Sequence, residues 1–122
     1  MAKKVKHCFI VTSAINSKFG VFSPEQRLEQ TVGTIKSIKA KLPDAKIVVM
    51  ECAGVPLTEE QKTGFYQHCN LLIDYTQDSN VVSIYNSTDN WDIVKNSTEI
   101  LCFGTAIKQC QEAKIFDGYD RV

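Results

Sequence analysis

Three short apolar runs, over residues 8–11, 47–50 and 71–73, are each followed directly by polar side chains. The hydroxyl, amide and carboxylate groups of such side chains form hydrogen bonds with sugars, bases and phosphates. These polar residues are Thr12, Ser13 and Asn16 after the first run, Glu51 after the second, and Asp74 with Asp78 after the third. If the runs are parallel strands, their polar ends predict a ligand site at one edge of the sheet.

Glu51 is the carboxylate whose position is most informative, because it ends the second apolar run. In nucleotide-binding α/β folds, an acidic residue at the end of a strand accepts hydrogen bonds from ribose hydroxyls. The position of Glu51 predicts this role, or a hydrogen bond to a base edge. The alternative is a solvated carboxylate at the rim of the sheet.

Lys95 and Asn96 precede a predicted helix over residues 97–113. Asparagine is a preferred N-cap residue, and Glu99 follows it three positions later. The free amides of a helix N-terminus together with a lysine favour a phosphate group. The sequence therefore predicts a phosphate site at Lys95 and Asn96, the alternative being a helix cap beside a surface lysine.

Several common catalytic and cofactor motifs are absent from the sequence. The segment after the first apolar run has no GxGxxG, and no Walker loop, GxSxG elbow or HExxH occurs. The five cysteines include no CxxC pair, so we predict neither a disulfide framework nor a zinc site. Cys52 is the one thiol at a predicted strand end, and no histidine stands at a neighbouring strand end. The sequence therefore assigns no catalytic residue and no metal ligand.

The elements that position these side chains follow from the apolar pattern. Continuous apolar runs are typical of strands covered on both faces, as in a parallel sheet. The first helix begins at a capping box of Ser23 and Gln26 and has an apolar stripe to Leu42; the second begins at the box of Thr58 and Gln61. Residues 77–96 predict a long loop in which 81–85 are a candidate short strand, and 119–122 predict a fourth strand.

This order of elements, β-α-β-α-β-loop-α-β, predicts a single α/β domain over residues 1–122. Right-handed crossovers would make it a three-layer α/β/α Rossmann-like sandwich with a mainly parallel sheet. Its ligand site is then expected at the carboxyl ends of the strands.

Four stretches of the sequence resemble the start of a GT-A-type glycosyltransferase domain. They are residues 11–15, 27–31, 34–38 and 47–51, which read VTSAI, RLEQT, TIKSI and IVVME. The chain is similar over nearly its whole length to glycosyltransferase-like proteins, some of them encoded by large bacteriophages. The resemblance implies that Thr12, Ser13, Ala14 and Glu51 hold the nucleoside of a nucleotide-sugar donor. Residues 119–122 would lead into the strand before the catalytic half.

GT-A enzymes usually carry an Asp-x-Asp that binds a divalent metal, Mn²⁺ or Mg²⁺, at the donor diphosphate. This chain has no Asp-x-Asp: Asp89 and Asp92 are separated by two residues, as are Asp117 and Asp120. The metal would therefore arrive with the nucleotide sugar, since no ligand set for it is identifiable here. The resemblance then implies a donor-binding half, natural or truncated, or a shortened relative that binds without catalysing.

The formal charge is zero, yet residues 1–50 carry a net +6 and residues 51–122 a net −6. A general nucleic-acid binder is basic overall, so we expect no nucleic-acid partner. Opposed charges suit self-association into a homo-oligomer. The alternative function is therefore a non-catalytic interaction or assembly protein, of viral or other origin. Its incomplete sheet would expose an edge at the last strand, which favours pairing with another chain. A receiver-like or flavodoxin-like domain is disfavoured, because Thr12 and Ser13 stand where a receiver has two acidic residues.

The sequence also predicts a cytoplasmic protein without a membrane span. No apolar run approaches the ~18 residues that a spanning helix needs. The run that follows Lys3, Lys4 and Lys6 is too short for a signal peptide and is followed at once by polar residues.

Overall fold

The computed structural model describes residues 6–16 and 22–122. These residues form a mixed α/β structure with three strands and four helices, which confirms the predicted α/β class. In chain order the elements are β1 (Cys8–Ser13), α1 (Pro24–Lys41), β2 (Lys46–Glu51), α2 (Glu59–Tyr66), β3 (Leu71–Asp74), α3 (Ser79–Ser87) and α4 (Trp91–Glu112).

The three strands form a parallel sheet in the order β1-β2-β3. The central strand β2 is fully buried from Ile47 to Met50, as its unbroken apolar run predicts. The register places Ser13 opposite Glu51 and Glu51 opposite Asp74. The polar ends of all three strands therefore meet at one edge of the sheet, as expected.

Two apolar clusters hold the helices against the sheet. Ile47 and Val49 of β2 pack in a first cluster with Ile35 of α1 and Phe65 of α2. Their neighbour Met50 belongs to a second cluster, whose members include Tyr75, Val81 of α3, and Cys102 and Ala106 of α4. Because successive strand side chains point to opposite faces, the two clusters cover the two faces of β2.

The first two helices begin where the sequence predicts. The Ser23 hydroxyl accepts the Gln26 amide N–H at 3.2 Å, and the Gln26 side chain accepts the Ser23 N–H at 2.9 Å. Thr58 and Gln61 form the same reciprocal pair at the start of α2. Both capping boxes satisfy amides that a helix N-terminus leaves without partners.

The prediction of a loop over residues 77–96 is wrong. Asp78 accepts the N–H groups of Asn80 and Val81 and thereby starts α3. Val81 and Tyr85, one helical turn apart, are both buried, so the apolar residues of this polar segment follow the period of a helix. The candidate strand over 81–85 is therefore part of a helix.

The helix predicted over residues 97–113, with Asn96 as its N-cap, begins earlier, at Trp91. Asn90 accepts the N–H groups of Asp92 and Ile93, so Asn90 is the N-cap of α4. Asn96 lies inside the helix and is exposed. The predicted phosphate site at a helix N-terminus is thus wrong in its location, because Lys95 and Asn96 follow the first turn of α4.

A fourth strand is not formed over residues 119–122. A single parallel bridge joins His7 to Arg121, and Cys8 N–H donates to Arg121 O at 2.8 Å. Within the described ranges, no helix combines the length and the apolarity that crossing a bilayer requires.

Candidate functional site

A cleft of about 550 Å³ opens where β1 and β2 end, and we refer to it as the strand-end cleft. Its lining comes from the end of β1, from the segments that follow β1 and β2, and from α1, α3 and α4. The lining residues are Thr12, Ser13, Ala14, Phe22, Arg27, Gln30, Thr31, Cys52, Ala53, Tyr85, Val94, Lys95, Thr98 and Glu99. The site therefore lies at the edge of the sheet that the strand order predicts for a ligand.

Ser13 lines the cleft, but its hydroxyl oxygen is buried and lies close enough to the Glu51 carboxyl to lower the pKa of that group. Its side chain is 8% exposed, and its Oγ has no hydrogen-bond partner among the described residues. The backbone at this point is fixed, because Ser13 O accepts the Cys52 N–H at 2.9 Å. A buried hydroxyl without a partner is costly, so a ligand oxygen or a water that bonds to Ser13 would be favoured.

Glu51 lies behind the wall of the cleft rather than in it. Its side chain is fully buried, and its Oε1 accepts the Ile15 N–H at 2.9 Å. Its Oε2 has no hydrogen-bond partner among the residues that the structure describes. Glu51 thus fixes the segment that follows β1, and the geometry does not place its carboxyl against a ligand.

Burial changes the ionisation of Glu51. Desolvation raises the pKa of its carboxyl from 4.5 to about 7, and the nearby Asp74 charge adds to the rise. The Ile15 amide, the Ser13 hydroxyl and the Ala53 amide oppose it. Of these donors, the Ile15 amide alone forms a hydrogen bond of good geometry, so the carboxyl is only partly compensated. At neutral pH both protonation states of Glu51 are therefore populated.

Two cationic side chains line the strand-end cleft. Arg27 of α1 donates from Nη1 to Ala14 O at 3.0 Å and from Nε to Phe22 O at 3.2 Å. These bonds hold the guanidinium beside the segment that follows β1. Lys95 lies on the second turn of α4 and is exposed. The two cations come from different helices, an arrangement that suits an anionic group held between them.

One carboxylate and several hydroxyls complete the polar lining. Glu99 follows Lys95 by one turn of α4, which places both side chains on the same face of that helix. Thr98, which precedes Glu99 in the sequence, is buried, and its hydroxyl donates to Val94 O at 2.8 Å. Glu99 is thus the one carboxylate in the lining of the cleft, which does not include Glu51.

Aromatic rings form part of the cleft wall. Tyr85 is 5% exposed and packs directly on the backbone of Gly54, where a Cβ would collide with the Tyr85 side chain. Only glycine permits this approach, so the Tyr85 ring and the segment after β2 are fixed relative to one another. Phe22, at the mouth of the cleft, is 51% exposed.

The predicted site residues divide into three groups. Thr12, Ser13, Ala14 and Lys95 all line the strand-end cleft, whereas Glu51 lies behind it and Asn96 is outside the lining. The other polar strand-end residues have structural bonds: Asn16 binds Pro56 O and Gln61, Asp74 accepts from Thr76, and Asp78 caps α3.

Sequence reasoning missed Arg27, Tyr85 and Glu99. Arg27 is the fourth residue of α1, a helix whose start was predicted correctly. Because the first turn of a crossover helix adjoins the end of the preceding strand, the sequence did contain a signal that placed Arg27 near the site. Tyr85 belongs to α3, which was predicted as part of a loop, so the direction of its side chain was not predicted. Glu99 was assigned to a capping box that does not exist.

A chain-held divalent metal does not fit the described residues. They contain no group of three His, Cys, Asp or Glu side chains that could hold one. Asp120, from one of the spaced aspartate pairs, accepts the Lys6 N–H at 2.9 Å, and Glu99 is the one carboxylate in the lining. A single carboxylate is too few for the oxygen ligand sets of Mg²⁺ or Mn²⁺, unless a ligand's phosphates supply the rest.

Comparison with protein-family models found no match to this chain, and comparisons with curated proteins and with solved structures found none either.

Proposed function

We propose that this chain binds a nucleotide or a nucleotide sugar in the strand-end cleft, as a Rossmann-like, three-layer domain related to the donor-binding half of GT-A glycosyltransferases. Catalysis of sugar transfer would require groups supplied from elsewhere, because no catalytic residue is assigned. A cytoplasmic location accompanies the proposal.

One observation supports the proposal above the others: two cationic side chains from different helices line one cleft at the carboxyl ends of parallel strands. Ser13, Arg27 and Lys95 come from three different elements and line the same cleft. Its volume of about 550 Å³ lies within the usual range for small-molecule sites. Phosphates bind cations and hydrogen-bond donors together, which favours a phosphorylated ligand.

The roles of the lining residues follow from their chemistry. Arg27 and Lys95 would bind the diphosphate, and Ser13 would donate to a phosphate or sugar oxygen. Glu99, not Glu51, would accept hydrogen bonds from ribose hydroxyls, because only Glu99 lines the cleft. The exposed ring of Phe22 would stack on the base.

Mn²⁺ or Mg²⁺ takes part in this proposal only as a complex with the ligand's own diphosphate. Glu99 would be the single carboxylate near such a complex. We therefore expect the metal to strengthen binding of a diphosphate, and we expect no binding of the metal to the chain alone.

Isothermal titration with UDP, GDP and their sugars, each with and without Mn²⁺, tests the proposal. Replacing Lys95 with alanine removes a charge from the cleft and should weaken binding about tenfold, or about 1.4 kcal/mol. Lys108→Ala is the matched control, because Lys108 is exposed on the same helix but lies outside the cleft. The absence of binding for every ligand would refute the proposal, and equal losses in both variants would remove Lys95 from the site.

A second function, self-association, is supported by a different surface. Among the described residues, the outer edge of β1 is covered only at its start, where Lys6, His7 and Cys8 pair with the chain at Asp120 and Arg121. Beside this edge lies an apolar groove of about 520 Å³ that includes Phe9, Ile10, Phe103 and Ile107. We propose that a second copy of the chain occupies this groove, since free edges and apolar patches favour pairing and the two halves of the chain carry opposite charge.

Light scattering across a salt series tests self-association. A dimer that weakens as salt rises is expected, because screening reduces the attraction between the oppositely charged halves. Phe103→Glu should abolish the dimer, whereas Ile93→Glu, on an exposed position of α4 outside the groove, should leave it intact. A monomer at every ionic strength would rule out this function.

A further inference from the structure

Glu51 places an ionisable group inside the edge of the sheet, directly behind the strand-end cleft. Its side chain is 0% exposed. Its partners in the strand register are Ser13 of β1 and Asp74 of β3, and register partners in a parallel sheet direct their side chains to the same face. Because Ser13 lines the cleft, one strand spacing of about 4.8 Å separates the backbone of Glu51 from the cleft wall.

The surroundings of Glu51 satisfy its carboxyl only in part. Its Oε1 accepts the Ile15 N–H at 2.9 Å, whereas its Oε2 has no hydrogen-bond partner among the described residues. In the same part of the chain, Ser13 Oγ is the other buried side-chain oxygen without such a partner. A buried carboxylate with one good hydrogen bond is costly, and the neutral carboxyl costs less. The geometry therefore favours the protonated form of Glu51 more than water does.

The elements around Glu51 carry several charged and ionisable groups. These are Arg27 of α1, Glu59, Glu60 and Lys62 of α2, Asp74 of β3, Cys52 after β2, and Glu99 and Cys102 of α4. Lys62 forms an ion pair with Glu59 at 3.6 Å. Burial raises the pKa of Glu51 from 4.5 to about 7, and the charge of Asp74 adds to the rise. Glu51 thus changes its protonation state near neutral pH, beside the cleft.

The backbone that Glu51 holds is also the backbone that positions a cation of the cleft. Glu51 accepts the Ile15 N–H, and the preceding residue, Ala14, accepts Arg27 Nη1 through its carbonyl oxygen at 3.0 Å. Ser13, Ala14 and Arg27 all line the cleft. Glu51 therefore acts on the cleft in two ways, through this short backbone segment and through its own charge.

We propose that Glu51 is a positioning residue that couples ligand binding in the strand-end cleft to the uptake of a proton. The inference rests on the proposed function, because it assigns a regulation by pH to the same site. A diphosphate held near Ser13 and Arg27 is an anion close to a buried carboxylate, and like charges disfavour one another. Binding therefore favours the neutral carboxyl, and the proton comes from the solvent.

The size of the coupling follows from the distance between the two charges. A unit charge at one to two strand spacings changes a proton equilibrium on the order of tenfold at the effective dielectric constant of a protein. Near pH 6 Glu51 is mostly protonated in the free chain, since its pKa is about 7, so binding needs little proton uptake. Near pH 8 the free chain must first gain a proton. The affinity should therefore fall about fivefold from pH 6 to pH 8, with about half a proton taken up per ligand at pH 7.5.

Isothermal titration of the full chain with UDP-glucose and with GDP-mannose tests the coupling. These probes are chosen because they lack the terminal phosphate group that titrates at about pH 6. Titrations at pH 6, 7 and 8 measure the affinity, and titrations at pH 7.5 in buffers of different ionisation enthalpy measure the proton uptake. Binding without proton uptake would overturn the inference and leave the proposed function standing. If neither probe binds at any pH, both are wrong.

Two variants identify the group that takes up the proton. Glu51→Gln should bind with the same affinity at pH 6 and pH 8 and take up no proton, because glutamine does not ionise. Glu99→Gln is the matched control, since it removes the carboxylate that lines the cleft, and it should keep the pH dependence of the unmodified chain. A pH dependence that persists in Glu51→Gln, or one that disappears in Glu99→Gln, would overturn the inference.

A second pair of variants decides the matter if circular dichroism shows that Glu51→Gln does not fold. Ser13→Ala should move the midpoint of the pH dependence upward, because the Ser13 hydroxyl lowers the pKa of Glu51. Asp74→Asn should move the midpoint downward, because the charge of Asp74 raises that pKa. Asparagine keeps the oxygen that accepts from Thr76, so the turn after β3 is retained. A midpoint that moves in neither variant would exclude Glu51 as the group that takes up the proton.

Discussion

Replacing Glu51 with glutamine separates the charge of this buried side chain from its hydrogen bond. Glutamine keeps a carbonyl oxygen that can accept the Ile15 N–H, but it cannot ionise. In the native chain, burial raises the pKa of Glu51 from 4.5 to about 7. The protonated carboxyl is therefore favoured by folding, and its contribution to stability is fully present below about pH 4.5.

The size of this contribution follows from the pKa shift. One pKa unit corresponds to about 1.4 kcal/mol, so the shift from 4.5 to about 7 corresponds to about 3 kcal/mol. Because the folded-state pKa is the higher one, this amount is lost as pH rises from about 4.5 to above about 7. Glu51→Gln lacks the loss, so its stability relative to the native chain should rise by about 3 kcal/mol over that interval.

Urea unfolding at several pH values between 4 and 8.5, under reducing conditions, measures this difference. Glu29→Gln is the control, because Glu29 is exposed on α1 and its replacement removes a carboxyl of the same type without touching the buried site. A Glu51→Gln difference that does not change with pH would refute the argument from burial. A difference of opposite sign would show that the amides of Ile15 and Ala53 stabilise the carboxylate more than burial destabilises it.

Two paired substitutions test other features of the structure by urea unfolding. Gly54→Ala should destabilise the chain by about 1–3 kcal/mol, because the new Cβ collides with Tyr85. Its control is Gly33→Ala, which should stabilise α1 by up to about 1 kcal/mol, because a Cβ at Gly33 meets nothing within 4 Å. If Gly54→Ala left the stability unchanged, the close packing of Gly54 and Tyr85 would be contradicted. Asn90→Ala should cost about 1 kcal/mol by removing the cap of α4, and Asn96→Ala should cost little. A larger loss of stability for Asn96→Ala than for Asn90→Ala would instead support the predicted N-cap at Asn96.

The correct predictions were those that depend on local signals. The Ser23 and Thr58 boxes place the hydrogen-bonding groups of each helix start within three residues, so sequence spacing suffices to identify them. The predictions failed over residues 77–96, where composition was given more weight than period. Asp78 and Asn90, two N-caps in a polar segment, were taken as loop residues although each precedes a helix.

The sequence by itself determined the alternation of strands and helices up to β3 and the meeting of three polar strand ends at one edge of a parallel sheet. Only the tertiary structure decided which carboxylate lines the cleft and which is buried behind it. Glu51 ends β2, and Glu99 lies in α4. Whether each of these carboxylates reaches the cleft depends on the packing of Ile15, Ala53 and α4 around them. The same holds for Cys52 and Cys102, which no spacing in the sequence connects, and which belong to one apolar cluster because α4 packs on the face of β2 opposite to α1. Contacts between residues distant along the chain are products of packing, and a pattern of neighbouring residues does not contain them.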